Sequence, residues 1–345
     1  MATQSGILVT AADAPFTLVD NLPRPVAGKK QALVRSAYIG INPVDSLMRK
    51  TGILVVDWPA VLGSDFCAQV IETGSDCQRL KKGDWVYGDA QLGQESFGPF
   101  QETFLVDEDC VFKKPDNLTP GQASTLGVAL ETATFGLSVG AKVVIPDAAQ
   151  KAPQRDEWLI VLGGSGMVGR SAIQIARVCG YKVAASCSPS KNSIVTEYGA
   201  DATFNNRATP EEQAQQVQDV TAGKHSIIFD ASAVSHEAAA KILETTSILP
   251  KYFTTADPTP RTMPEGVTSY NVLIGKLGQK DDFGQHITAE TKKMIPQLEP
   301  HVANGQLTPV DFNVYEKKGL DGLLAALNDY EKEVPQTKVV VQLHD

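Results

Sequence analysis

Histidine is scarce in this 345-residue chain, and its few cysteines follow no metal-binding or disulfide pattern. The five histidines (His225, His236, His286, His301, His344) all lie beyond residue 224, and none has metal-ligand spacing. The five cysteines are odd in number, scattered, and form no CxxC. Neither a disulfide framework nor a cysteine zinc knot is expected, and a reducing cytoplasm is the expected compartment. There is no basic excess: the net charge is −9. Phosphate contacts need a basic face, so nucleic acid is excluded as the main partner. No run of about 18 apolar residues is present to span a bilayer. The start "MATQSGILVTAADAP" has no basic stretch leading into an apolar one, so no secretory leader is expected. No plausible Ser/His/Asp set appears, which argues against a serine hydrolase. Repeats and low-complexity tracts are absent.

What is present is the composition of a globular protein, 42% hydrophobic and 21% charged. The length exceeds what one core usually holds, so two domains are expected. Residues 1 to about 125 read as short strands broken by turns. "QALVRSAYIGI" (Gln31–Ile41), "FCAQVIETG" and "DWVYGDA" are the clearest strands. Pro15, Pro23, Pro25, Pro43, Pro59, Pro99 and Pro115 argue against helices there. At Thr119 the apolar spacing becomes helical, with Thr119 as cap and Pro120 in the first turn. A Pro- and charge-bearing surface loop follows over Val143–Glu157. From Trp158 to about Thr255 strands and helices alternate, which predicts a parallel sheet covered on both faces. The tail carries an amphipathic helix, "GLDGLLAALNDYEKE", and a last strand, "TKVVVQL".

The most informative stretch is "WLIVLGGSGMVGRSAIQIA". Gly164, Ser165, Gly166, Met167, Val168 and Gly169 fit GxGxxG, directly after a strand and opening a helix, the context that gives the motif its meaning. The expectation is a dinucleotide cradle. Gly164 makes the tight turn, Gly166 admits a pyrophosphate, and Gly169 lets the helix pack on the strand. An NAD site usually has an acid ending the second strand, to hold the ribose 2′-hydroxyl. Here that strand ends "AASCSPSKN", with Ser188, Pro189, Ser190 and Lys191. Hydroxyls and an ammonium suit a 2′-phosphate, so NADPH is the expected cofactor. The alternative makes Ser188 a helix cap and Lys191 a solvated side chain, and the two roles can coexist. With zinc and nucleophilic catalysis lacking residues, hydride transfer is the chemistry left.

Several further segments occur in the order seen in one family. They are "INPVDS" (Ile41–Ser46), "GSDFCAQVIETG" (Gly63–Gly74), "KKGDWVYG" (Lys81–Gly88), "GPFQE" (Gly98–Glu102) and "KPDNLTPGQASTLGVALET" (Lys114–Thr132). With them the chain resembles the medium-chain dehydrogenase/reductase superfamily along essentially its whole length. Zinc alcohol dehydrogenases carry His-Glu where this chain has Ser64-Asp65, so it looks like the zinc-free branch, with no metal expected. Within that branch, "GGSGMVG…YKVAASCSPSKN…YGADATFN" looks most like fungal trans-acting enoyl reductases of polyketide biosynthesis. "NPVDSLMRKTG" is also similar to quinone oxidoreductases.

The resemblance implies an α/β fold: a GroES-like β-rich domain (1–130 and 290–345) and a Rossmann domain (131–289) with a doubly wound parallel sheet, the site lying in the cleft between them. It implies that Val44, Asp45, Ser46 and Leu47 line the nicotinamide end and that Ser165–Val168 hold the pyrophosphate. Asn206 would lie near the adenosine, and Lys338 would reach the cofactor from the tail. Thr132 would sit beside the nicotinamide or the substrate carbonyl, and Leu273, Ile274, Gly275, Lys276 and Leu277 would line the acyl pocket. The proton donors familiar in relatives are missing. Asp45, Arg49, Lys50 and Tyr38 are candidates by nearness, water competes with them, and Asp45 has the competing role of bonding backbone after Pro43. The implied function is NADPH-dependent reduction of a conjugated C=C bond in a free or carrier-bound acyl substrate, with a polyketide synthase as possible partner. Quinone reduction and a non-redox binding or cyclisation role are the alternatives. The chain would be a monomer or homodimer.

Overall fold

A computed structural model describes residues 2–344. Its contacts divide the chain into two units. The first comprises the residues up to Val128, then Gly275–Glu299 and those from Pro309 onward. The second comprises Ala129–Ile274 and Pro300–Thr308. The resemblance assigns 275–289 to the Rossmann part. These residues pack with the first unit instead: Gln94 Nε2 donates to the Leu277 carbonyl at 2.7 Å, and Gly275 lies against Leu54 and Leu92.

In chain order the first unit opens with β1 (Thr3–Val9), β2 (Thr17–Pro23), β3 (Gln31–Gly40), α1 (Pro43–Thr51), β4 (Ala60–Val61) and β5 (Asp65–Thr73). It continues with β6 (Trp85–Asp89), β7 (Thr103–Asp107), β8 (Phe112–Lys113) and α2 (Pro120–Ala123), and α3 (Gly127–Thr134) begins at its end. The second unit holds β9 (Trp158–Leu162), α4 (Met167–Val178), β10 (Lys182–Cys187), α5 (Asn192–Glu197), β11 (Ala202–Asn205) and α6 (Pro210–Thr221). It is completed by β12 (His225–Asp230), α7 (His236–Glu244), β13 (Lys251–Thr255) and β14 (Val267–Asn271). Last come α8 (Asp282–Ala303), β15 (Phe312–Val314), α9 (Gly319–Lys332) and β16 (Lys338–Gln342).

The first unit is built on two sheets. One runs β15-β16-β3-β5-β6-β8 with β7 also paired to β3, and the other runs β2-β1-β4. Its central strands are buried along most of their length, and Val34, Phe66, Phe104 and Val341 meet Leu323 and Leu327 of α9 in a common core. Phe66 and Phe104 pack edge to face, with centroids 4.9 Å apart. Each fully buried side chain of this size stabilises the fold by about 1.5–3 kcal/mol relative to exposure.

The prolines misled the reading of this half. Pro43 does not prevent a helix; it opens α1, where its missing N–H costs nothing because a first-turn N–H has no partner inside the helix. The Asp45 carboxylate accepts the Asn42 N–H at 2.7 Å, and Gly52 ends the helix at φ +74°, a conformation that favours glycine. The helix expected from Thr119 is interrupted. Thr119 caps α2 as predicted, accepting from the Gln122 N–H, but α3 starts anew at Gly127 and ends in a wide π-type turn over Phe135–Gly140.

In the second unit the six strands run β11-β10-β9-β12-β13-β14, and all their pairings are parallel. This is the doubly wound order, which reverses direction between β9 and β12 and so opens a crevice at their carboxyl ends. The predicted alternation holds through β13. β14 and α8 are not among the elements that the sequence pattern predicts. β14, "VTSYN", is a partly exposed polar edge strand without the apolar run of a buried one. The 22-residue α8, whose residues up to Glu299 belong to the first unit, runs through Pro296 and Pro300.

Candidate functional site

The glycine turn closes between β9 and α4, but its glycines divide their duties differently from the expectation. The left-handed residue that makes the turn is Gly163, at φ +77°, not Gly164. A Cβ there would also meet the Cβ of Ser232 at 2.8 Å. Gly164 instead lets β10 come close: its N–H donates to the Ser186 carbonyl at 2.7 Å, and a Cβ would sit 2.8 Å from that of Ala185. A Cβ at Gly169 would fall 2.2 Å from the Gly163 carbonyl oxygen, so only glycine lets α4 lie this close to the turn.

Gly166 is the exception, because it is crowded by nothing. A Cβ there would find no atom nearer than the Gly163 oxygen, at 3.5 Å. Its φ of −72° suits any residue. Its N–H is already given to the Gly163 carbonyl, 3.1 Å away. The space over Gly166 is therefore kept clear without any structural need. No side chain caps α4, so Met167 and Val168 present first-turn N–H groups that the helix itself cannot satisfy. The Ser165 carbonyl accepts from Arg170 Nε at 2.9 Å. An open cradle beside uncapped donors at the positive end of a 12-residue helix fits a pyrophosphate.

β10 pairs with β9 on one side and β11 on the other. Its end delivers Ser188, Pro189, Ser190 and Lys191 on a short 3₁₀ turn; Ser188 and Lys191 are half-buried, and Pro189 and Ser190 are exposed. Ser188 takes the cap position but makes no side-chain cap bond; its Oγ lies 3.3 Å from Ser190 Oγ. Asn206 is exposed just past β11, with its N–H on the Cys187 carbonyl at 3.1 Å. No acidic side chain ends β10.

In the first unit the structure assembles a buried polar cluster that the sequence reading had only in pieces. Lys338, the first residue of β16, sends its ammonium to Asn42 Oδ1 and Asp65 Oδ2, both at 2.6 Å. The Lys338 and Asp65 side chains are 0% and 1% exposed. Lys338 is thus held inside the unit, rather than reaching outward as the resemblance implied. Asp65 Oδ1 accepts the Val128 N–H at 2.7 Å. Asn42 Nδ2 donates to Ser64 Oγ and to Asp65 Oδ2, both at 2.9 Å. Asn42 lies in one sequence motif and Ser64 and Asp65 in another, 22 residues further on, so local spacing does not join them.

Asp45 is also wholly buried. Its Oδ2 bonds the Asn42 N–H, and Oδ1 has no partner. Burial pushes its carboxyl up to about 7, against the lowering effects of the Asn42 bond, the Ser64 hydroxyl and Lys338. A carboxyl with no exposed surface has no direct path to a substrate in this structure. The backbone-bonding role after Pro43 is the one the geometry displays. Val44 and Ser46 are half-buried, and Leu47 is 47% exposed on α1.

Thr132 is buried in α3, which belongs to the second unit from Ala129 on. Of the five residues expected to line an acyl pocket, Leu273 and Ile274 lie in the second unit and Gly275, Lys276 and Leu277 in the first. Leu277 is 1% exposed and Lys276 pairs with Asp281 at 3.2 Å, so both serve packing and surface charge. The sequence reading also missed Asp230. Ending β12, it accepts the Ser232 N–H and hydroxyl and the Ser235 N–H, and so shapes the loop beside Gly163. An acid at a strand end followed by Ala-Ser was the available signal. Among the described residues no group of three or more His, Cys, Asp or Glu is placed to hold a metal ion, and no helix is long and apolar enough to cross a membrane.

Comparison with known proteins agrees with this layout. Residues 28–116 match the alcohol dehydrogenase GroES-like domain. A dehydrogenase of Aspergillus niger is 27% identical over 337 residues, covering 94% of this chain and 95% of the relative. A trans-enoyl reductase of Xenoacremonium sinensis is 33% identical over 199 residues, 55% of this chain and 52% of that one. An alcohol dehydrogenase superfamily protein from Novosphingobium aromaticivorans superposes with a TM-score of 0.79 at 22% identity, covering 99% of this chain and all (100%) of that one. A GroES-like sheet unit and a parallel sheet with a glycine cradle define a nicotinamide-dependent oxidoreductase. In fold and in these likenesses the chain resembles the medium-chain dehydrogenase/reductase superfamily, in line with its motifs.

Proposed function

We propose that the chain is an NADPH-dependent reductase of conjugated C=C bonds, acting on an α,β-unsaturated acyl or enone substrate of the kind made by polyketide synthases. The observation that carries the cofactor half is the end of β10, where Ser188, Ser190 and Lys191 stand in place of an acid. The likeness to a trans-enoyl reductase supports the substrate half.

In this reading the N–H groups of Met167 and Val168 would hold the pyrophosphate of a bound cofactor, for which Gly166 leaves room. The Ser188 and Ser190 hydroxyls and the Lys191 ammonium hold the 2′-phosphate, with bonds strengthened by the charge. Val44, Ser46 and Leu47 face the nicotinamide end. When bound, the reduced nicotinamide supplies the two electrons of the reduction. Thr132 donates from its hydroxyl to the substrate carbonyl oxygen, where negative charge develops as the β-carbon is reduced. Asp45 acts from its buried position by bonding the Asn42 N–H and fixing the first turn of α1, not as the acid. Solvent protonates the α-carbon.

The test is a panel of short and long enoyl thioesters, enones and a naphthoquinone, each followed at 340 nm with NADPH and with NADH. Turnover of the enoyl thioesters with a preference for NADPH is expected. A product formed without NADPH oxidation, or turnover confined to the quinone, would overturn the proposal.

A further inference from the structure

The buried cluster of the first unit has a geometry that stability alone does not explain. A buried ion pair gains little over apolar residues of the same volume, because desolvating both charges offsets their attraction. Yet here residues from four separated segments converge on one ammonium and one carboxylate. Asp65 opens β5, Lys338 opens β16, Asn42 precedes α1, and Val128 lies in the first turn of α3. The lysine is tightly enclosed: a Cβ at Gly40 would lie 2.8 Å from its Cε and 2.3 Å from the Ser124 carbonyl oxygen. The Asn42 side chain is the link. It touches both charged groups with its amide while its backbone N–H is held by Asp45.

We propose that the Asp65–Lys338 pair, acting through Asn42, is a positioning device that fixes the N-terminus of α1 and with it Val44, Ser46 and Leu47. Asn42, Asp65 and Lys338 act through α1 as positioning residues, not on the reacting atoms. This rests on the reading of α1 as the nicotinamide-facing element. A helix start displaced by about 1 Å is enough to cost about 100-fold in rate when reacting groups are misaligned.

Two variants test it. Asn42→Ala cuts the link while leaving both charges paired. Asp65→Leu/Lys338→Met removes both charges together, so that neither is left buried alone. Two readouts are taken on the full chain. The first is hydrogen exchange of the Val44–Leu47 amides against those of α4, which needs no activity. The second is kcat on the best substrate of the wild type, set against the Kd for adenosine 2′,5′-diphosphate, a probe of the phosphate-binding half alone. Exchange at residues 44–47 should rise at least about tenfold, with α4 unchanged. kcat should fall about 10- to 100-fold, with the diphosphate Kd within about twofold of wild type. A role in stability alone would instead lower the melting temperature of the double variant and leave kcat per folded molecule unaltered.

Wild-type exchange at residues 44–47 in Asn42→Ala overturns the proposal, whether or not the double variant folds. Faster exchange there with wild-type kcat shows that the device exists but does not serve the reaction, which overturns its assigned role. Failure of the wild type to reduce any enoyl substrate sinks the reading of the function instead, and the exchange result stands apart from it.

Discussion

Gly166→Ala separates binding from folding at the glycine cradle. The added methyl would lie 3.5 Å from the nearest atom, an ordinary contact, and a φ of −72° is open to alanine. The fold should scarcely register it. The loss of glycine at a helix cap and the gain from a stiffer unfolded chain roughly cancel, leaving a melting shift under about 3 °C. A bound pyrophosphate would register it strongly, because the methyl projects into the space that lets phosphate oxygens reach the Met167 and Val168 N–H groups. Losing two charge-assisted bonds at about 1.5–3 kcal/mol each amounts to about 3–6 kcal/mol. That is about 10²- to 10⁴-fold in Kd. Titration calorimetry with NADPH, beside a thermal melt of the free protein, reads both quantities. A variant that binds NADPH within threefold of wild type would refute the assignment of Gly166. One that melts far below wild type would refute the claim that its surroundings are open.

Gly169→Ala should do the opposite, since its Cβ would lie 2.2 Å from the Gly163 oxygen. Forcing α4 from the turn should cost about 1–3 kcal/mol in urea unfolding, and an unchanged midpoint would contradict it. Lys191→Ala should weaken NADPH about tenfold by calorimetry and leave NADH unaffected; equal losses for both would remove Lys191 from the 2′-phosphate site. Asp45→Asn keeps an acceptor for the Asn42 N–H but removes a group raised in the fold from 3.8 to about 7. Because the folded state then holds more protons than the unfolded one between those values, wild-type stability should decline from about pH 4 to 7 by up to about 4 kcal/mol. The variant should lack this decline, gaining on wild type at pH 8 relative to pH 5 in urea midpoints. Parallel pH profiles for the two proteins would show that Asp45 is ionised in the fold.

Legibility followed the range of the forces involved. The β9–α4 turn was readable because strand, glycine spacing and helix period all lie within twenty residues. Thr119 was readable as a cap because its bond to the Gln122 N–H is three residues away. α1 was misread because proline is a breaker in most helix positions and a starter in one, and composition does not tell them apart. α8 was missed for the same reason, and β14 because an edge strand need not be apolar. The turn glycine was placed one residue late, since spacing carries no φ.

By itself the sequence determined the alternation of the second unit, the cradle, and the residues at the end of β10, because local periodicity and backbone sterics are written in consecutive residues. Only the tertiary structure decided where Lys338 points, that Asp45 is sealed, and which glycine bears the strain. Lys338 meets Asp65 across 273 residues of chain, and burial is set by whatever folds over a side chain, not by its neighbours in sequence.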